Sequence, residues 1–260
     1  MPGTRRRDRR NFVGTSGWTY ADWADVFYPD TISKKRWLAH YAGIFSTTEI
    51  NSSFYRTPSL EAVRNWRRSV PNDFVFAWKA SKFITHWKRL SENCQSSLKL
   101  METRLAVLGD RLGPVLFQLP ERMHADRERL ANFLGLLSPK RRYAFEFRHA
   151  SWYEEPVLKL LRDEGISLCL SDHHQAPAPW ETTADHVYIR LHGPTGRYHG
   201  NYSPSRLQDW AKAIARWNRQ ARTVYCYFDN DQKSAAPQDA QSLIGLLRKR
   251  CGRQVANAKS

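Results

Sequence analysis

Apolar segments of five to seven residues recur eight times along the chain, and most are separated by a stretch with helical periodicity. Alternation of strand and helix through a whole chain is typical of parallel βαβ units. Eight such strands within 260 residues predict a (β/α)8 barrel of the TIM type, whose usual length is ~250 residues. The candidate strands are Phe12–Ser16, Thr47–Ser53, Val75–Ala80, Pro114–Leu119, Tyr143–Arg148, Ser167–Asp172, His186–His192 and Val224–Asn230.

The connecting segments carry apolar residues at helical spacing, with one exception. Residues 173–185 are rich in His, Ala and Pro, so the βα unit after the sixth strand should be short or lack a regular helix. A doubly wound open sheet is the alternative fold, but no GxGxxG or P-loop motif favours it. The candidate helices are 33–44, 59–69, 88–112, 126–137, 154–164, 203–219 and 237–250.

Positive charge is concentrated at the two ends of the chain. Of the net charge of +16, residues 1–10 contribute +4 and residues 248–260 contribute +5. We therefore predict one barrel domain over residues 12–248, between basic tails at 1–11 and 249–260. Because basic segments bind polyanions by releasing counterions, the tails are a candidate surface for nucleic acid.

The sequence favours a cytoplasmic protein. No apolar run approaches the ~20 residues that a membrane span needs. The four cysteines are scattered, without a CxxC motif or a Cys/His cluster, which favours a reducing compartment and argues against structural zinc. The arginine-rich start is not followed by the apolar core that an export signal requires.

The fifth candidate strand, Tyr143–Arg148, combines an apolar face with two charges. Side chains alternate along a strand, so Glu146 and Arg148 share one face. That face is either the wet side of a half-buried strand or the inner wall of a barrel. Other strands end in the same way, which favours the barrel, where inward side chains at the C-terminal strand ends form the floor of an active site. Those polar residues are Glu49, Asn51, Ser53, Lys79, Gln118, Glu146, Arg148, Asp172, Arg190, His192 and the adjacent pair Asp229 and Asn230.

This set predicts a site for acid–base chemistry on a small anion. Glu146 and Glu49 are the candidate acid and base, with His192 and Asp172 as further catalytic candidates and His86 as a second histidine that could carry a proton. Aromatic residues in the loops suit a nucleotide base or a sugar. The candidate substrate-binding residues are Trp18, Asn51, Tyr55, Lys79, Gln118, Arg148, Arg190, Tyr198, Tyr202 and Asn230.

Two other interpretations of the same residues stay open. One is an internal salt-bridge network that only stabilises the barrel mouth. The other is a divalent metal held by Glu49, Glu146, Asp172 and His192, which nearby arginines would oppose by repelling a cation.

Many short stretches of the chain together form a recognisable set. They are Gly14–Tyr20, Trp23, Phe27–Pro29, Glu49–Arg56, Phe76–Lys79, Ile84–His86, Leu112–Pro114, Gln118–Pro120, Glu146–Arg148, Ser151–Trp152, Arg190–Gly193, Tyr198, Gly200–Ser203 and Tyr225–Asn230. With them the chain resembles the YecE-like family, known as domain of unknown function 72. The resemblance covers residues 12–248 and implies a TIM-type barrel, but it implies no particular reaction. Asp229 departs from the pattern, since Asn-Asn is expected there, and it adds a negative charge at the barrel mouth.

Two functions follow from the sequence. The first is a hydrolase or lyase acting on a small anionic, nucleotide-like or sugar-phosphate-like substrate. The second is a non-catalytic protein that binds a ligand in the same pocket, or nucleic acid through its basic tails.

Overall fold

The computed structural model describes residues 11–257, with side chains over residues 11–250. Eight parallel strands form a nearly closed barrel in the order β1-β8-β7-β6-β5-β4-β3-β2, which confirms the predicted fold. The strands are β1 (Asn11–Thr15), β2 (Thr47–Ile50), β3 (Val75–Lys79), β4 (Leu112–Gln118), β5 (Tyr143–Glu146), β6 (Ser167–Ser171), β7 (His186–Leu191) and β8 (Thr223–Phe228).

Helices cover the outside of the barrel, and none lies between β6 and β7, as predicted. Side-chain caps begin three of them: Ser59, Asp126 and Ser203 accept hydrogen bonds from backbone N–H groups in the first turns of α3, α5 and α7. The helices are α1 (Trp37–Ile44), α2 (Ser52–Tyr55), α3 (Leu60–Arg68), α4 (Gln95–Leu108), α5 (Arg127–Leu134), α6 (Glu155–Asp163), α7 (Pro204–Arg219) and α8 (Ala235–Asn257).

Two sequence predictions about elements are wrong. The long helix expected over 88–112 begins only at Gln95, because Arg89 and Leu90 have positive φ angles of 48° and 60° that break a right-handed helix. The second strand ends at Ile50, and the chain turns into α2, so Ser53 leaves the strand.

The predicted basic tail at 1–11 lies almost entirely outside the described residues, and α8 continues past 248 to Asn257.

A tyrosine from α1 helps to close the barrel between β1 and β2. The Tyr41 hydroxyl accepts a hydrogen bond from Thr15 N at 2.9 Å and donates one to Thr47 O at 3.1 Å. Gly14 leaves room for this contact, since a Cβ atom there would lie 2.2 Å from Thr47 O. The seam also contains one β-bridge, between Ser16 and Glu49. We call this junction the β1–β2 seam.

The barrel interior has an apolar lower part and a polar upper part. The lower part is filled by small side chains on β3, β5 and β6 and by large ones on β4, β7 and β8, so it is a packed core. The lower layer consists of Ala77, Leu116, Ala144, Cys169, Tyr188, Tyr225 and Tyr227.

Cys94, Cys169 and Cys226 are buried and free. Within residues 11–257, no helix is long and apolar enough to cross a membrane.

Candidate active site

Arg190 on β7 is the centre of the polar upper part of the barrel. Its guanidinium donates to Glu49 Oε1 at 3.0 Å, to Glu146 Oε2 at 2.9 Å and to Asp229 Oδ2 at 2.7 Å. Burial opposes its charge, but these carboxylates outweigh burial and hold the pKa of Arg190 well above its usual value. We call these four side chains the Arg190 cluster; three acids from three strands share one permanent cation.

Glu49 is enclosed within this cluster. Besides Arg190, its carboxylate accepts hydrogen bonds from Ser16 Oγ at 2.5 Å and Tyr188 Oη at 2.6 Å. The side chain is fully buried, with both oxygens occupied. Glu49, which the sequence suggested as an acid or base, therefore lies beneath the site rather than facing a substrate.

Glu146 is also committed to partners. Its Oε1 lies 2.6 Å from Arg148 Nη2 and accepts a hydrogen bond from Ser171 Oγ at 3.2 Å. Burial raises the pKa of Glu146, but Arg148 and Arg190 outweigh burial and hold it well below its usual value. Glu146 is thus an ion at neutral pH and is unsuited to donate a proton.

Arg148 links Glu146 to the loop after β7. Its Nη1 donates to Tyr198 Oη at 3.0 Å, and its Nη2 lies 3.1 Å from His192 Nε2. Burial and the charge of Arg148 hold the pKa of His192 well below its usual value, so the imidazole is neutral. Arg148 is therefore tied to Glu146, and it fixes Tyr198 at the edge of the site.

Three predicted site residues instead hold the loops together. Asp172 accepts hydrogen bonds from His192 N at 2.7 Å and from the Tyr202 hydroxyl. Burial raises the pKa of Asp172 to about 6. Asn230 donates to Asp239 Oδ2 on α8 at 2.8 Å. Since Asp172, Tyr202 and Asn230 face the surrounding loops and α8, none of them lines the cavity described next.

A cavity of about 550 Å³ opens above the Arg190 cluster, at the C-terminal ends of the strands. Its size is within the range of small-molecule sites. Six residues predicted to bind substrate line it: Trp18, Asn51, Tyr55, Lys79, Gln118 and Tyr198. Its other lining residues are Gly17, Thr19, Tyr20, Ser52, Phe54, His86, Asp229 and Asp231.

Lys79 at the end of β3 differs from the other cations of the site. Its side chain is 5% exposed, and its Nζ lies 4.4 Å from the centre of the Phe54 ring. Over residues 11–250 its ammonium makes no ion pair or hydrogen bond, although it lies in a cavity. Burial, followed by the charge of Arg190, lowers the pKa of Lys79 to about 8.

Asp231 is a lining residue that sequence reasoning missed. Its backbone carbonyl accepts a hydrogen bond from Trp23 Nε1 at 3.0 Å, while its side-chain Oδ1 is buried without a partner in the described part of the chain. Burial, followed by the charge of Asp229, raises the pKa of Asp231 to about 9. The signal was the run Asp229-Asn230-Asp231, in which a second acid follows the strand.

His86, on a π-helical turn after β3, borders the same cavity. Its Nδ1 lies 2.9 Å from Thr85 Oγ1, and its ring packs edge-on against Phe54. Burial, followed by the charge of Lys79, lowers the pKa of His86 to about 4. His86 therefore presents a neutral imidazole at physiological pH.

The candidate metal ligands do not form an open site. Among residues 11–250, no three His, Cys, Asp or Glu side chains are grouped in a way that could hold an ion. The oxygens of Glu49 and Glu146 are instead occupied by arginine and hydroxyl donors.

Fold and site together define a TIM-barrel protein with a buried charge cluster beneath an aromatic-rimmed cavity. The family described as "Protein of unknown function DUF72" matches residues 12–259, and the chain belongs to this family. The resemblance seen in the sequence is thereby confirmed.

Individual relatives agree with this assignment over nearly the whole chain. The UPF0759 protein YunF of Bacillus subtilis is 25% identical, over 91% of this chain and 94% of its own length. The UPF0759 protein YecE of Escherichia coli K12 is 25% identical, over 92% of this chain and 93% of its own length.

Solved structures of the family share the fold. A DUF72 family protein from Thermotoga maritima superposes with a TM-score of 0.78 at 27% identity, covering 92% of this chain and 99% of that one. Another, from Enterococcus faecalis, gives a TM-score of 0.79 at 20% identity, covering 92% and 95%.

Proposed function

We propose that this protein is an enzyme that binds a small anionic substrate in the cavity and acts on it by proton transfer, as a hydrolase or lyase. The observation that carries the proposal is the unpaired ammonium of Lys79. The arginines beneath it are held in ion pairs with Glu49, Glu146 and Asp229, whereas the ammonium of Lys79 lines the cavity without an ion pair among the described residues and is the cation that an incoming anion can reach.

The shape of the cavity suits a nucleotide or a sugar phosphate. Trp18, Tyr55 and Tyr198 line it with aromatic surface, on which a base or sugar ring can pack. Asn51 and Gln118 add amide groups that can hydrogen-bond a polar substrate.

The groups best placed to move protons are not the two glutamates. Asp231 lines the cavity and keeps its proton at neutral pH, so it is suited to act as an acid. His86 is neutral, and its lowered pKa suits it to hydrogen-bond a substrate rather than to take up a proton. Glu146 is a positioning residue in this proposal, because it orients Arg148, which in turn holds Tyr198 at the cavity.

The proposal predicts that Lys79→Met weakens anion binding. Calorimetric titration with AMP, ribose 5-phosphate and inorganic phosphate should give at least about a tenfold loss of affinity, which corresponds to ~1.4 kcal/mol. Lys212→Met, on the exposed face of α7, is the matched control and should bind like the wild type. Equal binding by the Lys79 variant, or no binding of these anions by the wild type, would refute the proposal.

A second candidate, binding of single-stranded nucleic acid, is favoured by the rim of the cavity. Tyr55 and Trp87 are 67% and 65% exposed, and Lys82 Nζ lies 5.8 and 5.5 Å from their ring centres. Exposed aromatic rings next to cations form a surface on which bases can stack. The basic ends of the chain would add phosphate contacts.

This candidate predicts that Trp87→Ala weakens binding of an oligothymidylate by about 1–3 kcal/mol. Deletion of residues 1–10 should make the dependence of log affinity on log salt less steep. Fluorescence anisotropy measures both quantities, and Trp180→Ala, whose ring stacks on Trp210 away from the cavity, is the control. An affinity unchanged by Trp87→Ala and a salt slope unchanged by the deletion would show that neither the rim nor residues 1–10 bind nucleic acid.

A further inference from the structure

We infer that Lys79 is a nucleophile that forms an imine with the carbonyl group of a small 2-oxo acid. The inference rests on the proposed function and gives it a substrate class. Lys79 lies at the C-terminal end of a barrel strand and lines the cavity. Its ammonium makes no ion pair or hydrogen bond among residues 11–250.

The surroundings of Lys79 are suited to an amine that must lose its proton. One side faces the ring of Phe54, and Arg190 of the cluster below adds a like charge. Desolvation and a neighbouring cation are the two conditions that activate a lysine as a nucleophile. With a pKa of about 8, roughly one Lys79 in ten is neutral at pH 7. For an ordinary lysine this fraction is about two orders of magnitude smaller.

Asp231 supplies the proton that the second step needs. The Lys79 nitrogen attacks the carbonyl carbon, a C–N bond forms, and a proton passes from nitrogen to the carbonyl oxygen. Asp231 then protonates the resulting hydroxyl, which leaves as water while the nitrogen lone pair forms the C=N bond. No electrons are gained or lost, and addition of water reverses the sequence. Asp231 lines the same cavity as Lys79, and its buried Oδ1 makes no hydrogen bond in the described chain.

The ammonium of Lys79, which makes no ion pair among the described residues, favours a carbonyl compound that carries an adjacent carboxylate. An iminium ion keeps the positive charge of the ammonium, so the substrate carboxylate stays next to a cation after the bond forms. The other cations beneath the cavity are already paired with Glu49, Glu146 and Asp229. The amides of Asn51 and Gln118 are in reach of the cavity to hold the carboxylate oxygens.

Reductive trapping tests this inference. The protein is incubated with pyruvate, glyoxylate or 2-oxoglutarate and sodium cyanoborohydride, and the modified lysine is located by peptide mass mapping. We expect one secondary amine per chain, on Lys79, formed about 100 times faster than on exposed lysines at pH 7. Lys79→Arg should abolish this adduct, and Lys212→Arg should leave it unchanged.

The pH dependence provides a readout that does not need a variant. Trapping at Lys79 should reach half its maximal rate near pH 8, whereas exposed lysines should require a much higher pH. Adducts spread evenly over surface lysines, or an adduct yield unaffected by Lys79→Arg, would overturn the inference. If the anion panel binds but none of the three oxo acids is trapped, the imine is wrong and the anion site stands. If no anion binds and no oxo acid is trapped, both the anion site and the imine are wrong.

Discussion

Replacing Arg190 with Met is expected to lower the free energy of unfolding by about 3–5 kcal/mol, the usual cost of removing one partner from a buried ion pair. The loss should be at the upper end of this range, because one guanidinium serves Glu49, Glu146 and Asp229 together. Without it, three buried carboxylates would remain close to one another, and only Glu146 would keep a cation, Arg148. Chemical denaturation followed by tryptophan fluorescence measures the change.

Two comparisons make this prediction specific. Arg162→Met removes an exposed ion pair on α6 and should change stability by less than about 1 kcal/mol. The difference in the free energy of unfolding between the wild type and Arg190→Met should also shrink as the pH is lowered. The carboxylates that have lost Arg190 take up protons more readily in the folded variant than in the unfolded chain. A variant that unfolds at the same denaturant concentration as the wild type would show that the cluster is not held by Arg190.

Replacing Asp231 with Asn is expected to stabilise the protein, increasingly so at higher pH. The folded state holds the Asp231 proton up to about pH 9, whereas the unfolded chain releases it near pH 4. Between these values the folded state binds more protons, so the wild type loses stability as the pH rises, by up to ~1.4 kcal/mol per pH unit. Asparagine never carries a charge, so the variant avoids this loss.

Denaturation curves of both proteins at pH 4, 6 and 8 check this result. The two should be nearly equal at pH 4, with the variant more stable at pH 8 and less active on any substrate that uses the acid. Asp163→Asn, an exposed carboxyl on α6, is the control and should stay within about 0.5 kcal/mol at every pH. A destabilised Asp231→Asn variant at pH 8 would contradict a protonated Asp231.

The barrel could be predicted from the sequence because apolar residues recur at a different spacing in its strands than in its helices. All eight strands were located, and each was predicted to extend one to three residues too far at its C-terminal end. The reason is that polar residues such as Asn51 and Arg148 continue the alternation after the backbone hydrogen bonds stop. The alternation still gave the correct inward face for Glu49, Glu146 and Arg190.

The pairing inside the barrel could not be predicted. Arg190 meets Glu49 from 141 residues away in the sequence and Glu146 from 44 residues away, and strand periodicity does not say which inward side chains will touch. Strand periodicity also does not apply beyond a strand, which is why Asp231 was missed and why the sequence did not tell whether Asp229 or Asn230 faces inward. Asp229 faces inward to Arg190, whereas Asn230 faces outward to Asp239.

The β1–β2 seam has a consequence for how water reaches the Arg190 cluster. The seam is closed by side-chain hydrogen bonds from Tyr41, Thr48 and Ser16 and by a single bridge rather than by a complete backbone ladder, so it holds fewer backbone hydrogen bonds than the other strand pairs. Ser16 lies on one side of the seam and Glu49 on the other. A brief opening there would hydrate Glu49 without unfolding the barrel. The rate of proton exchange with the cluster would then be set by how often this seam opens rather than by whether a ligand occupies the cavity.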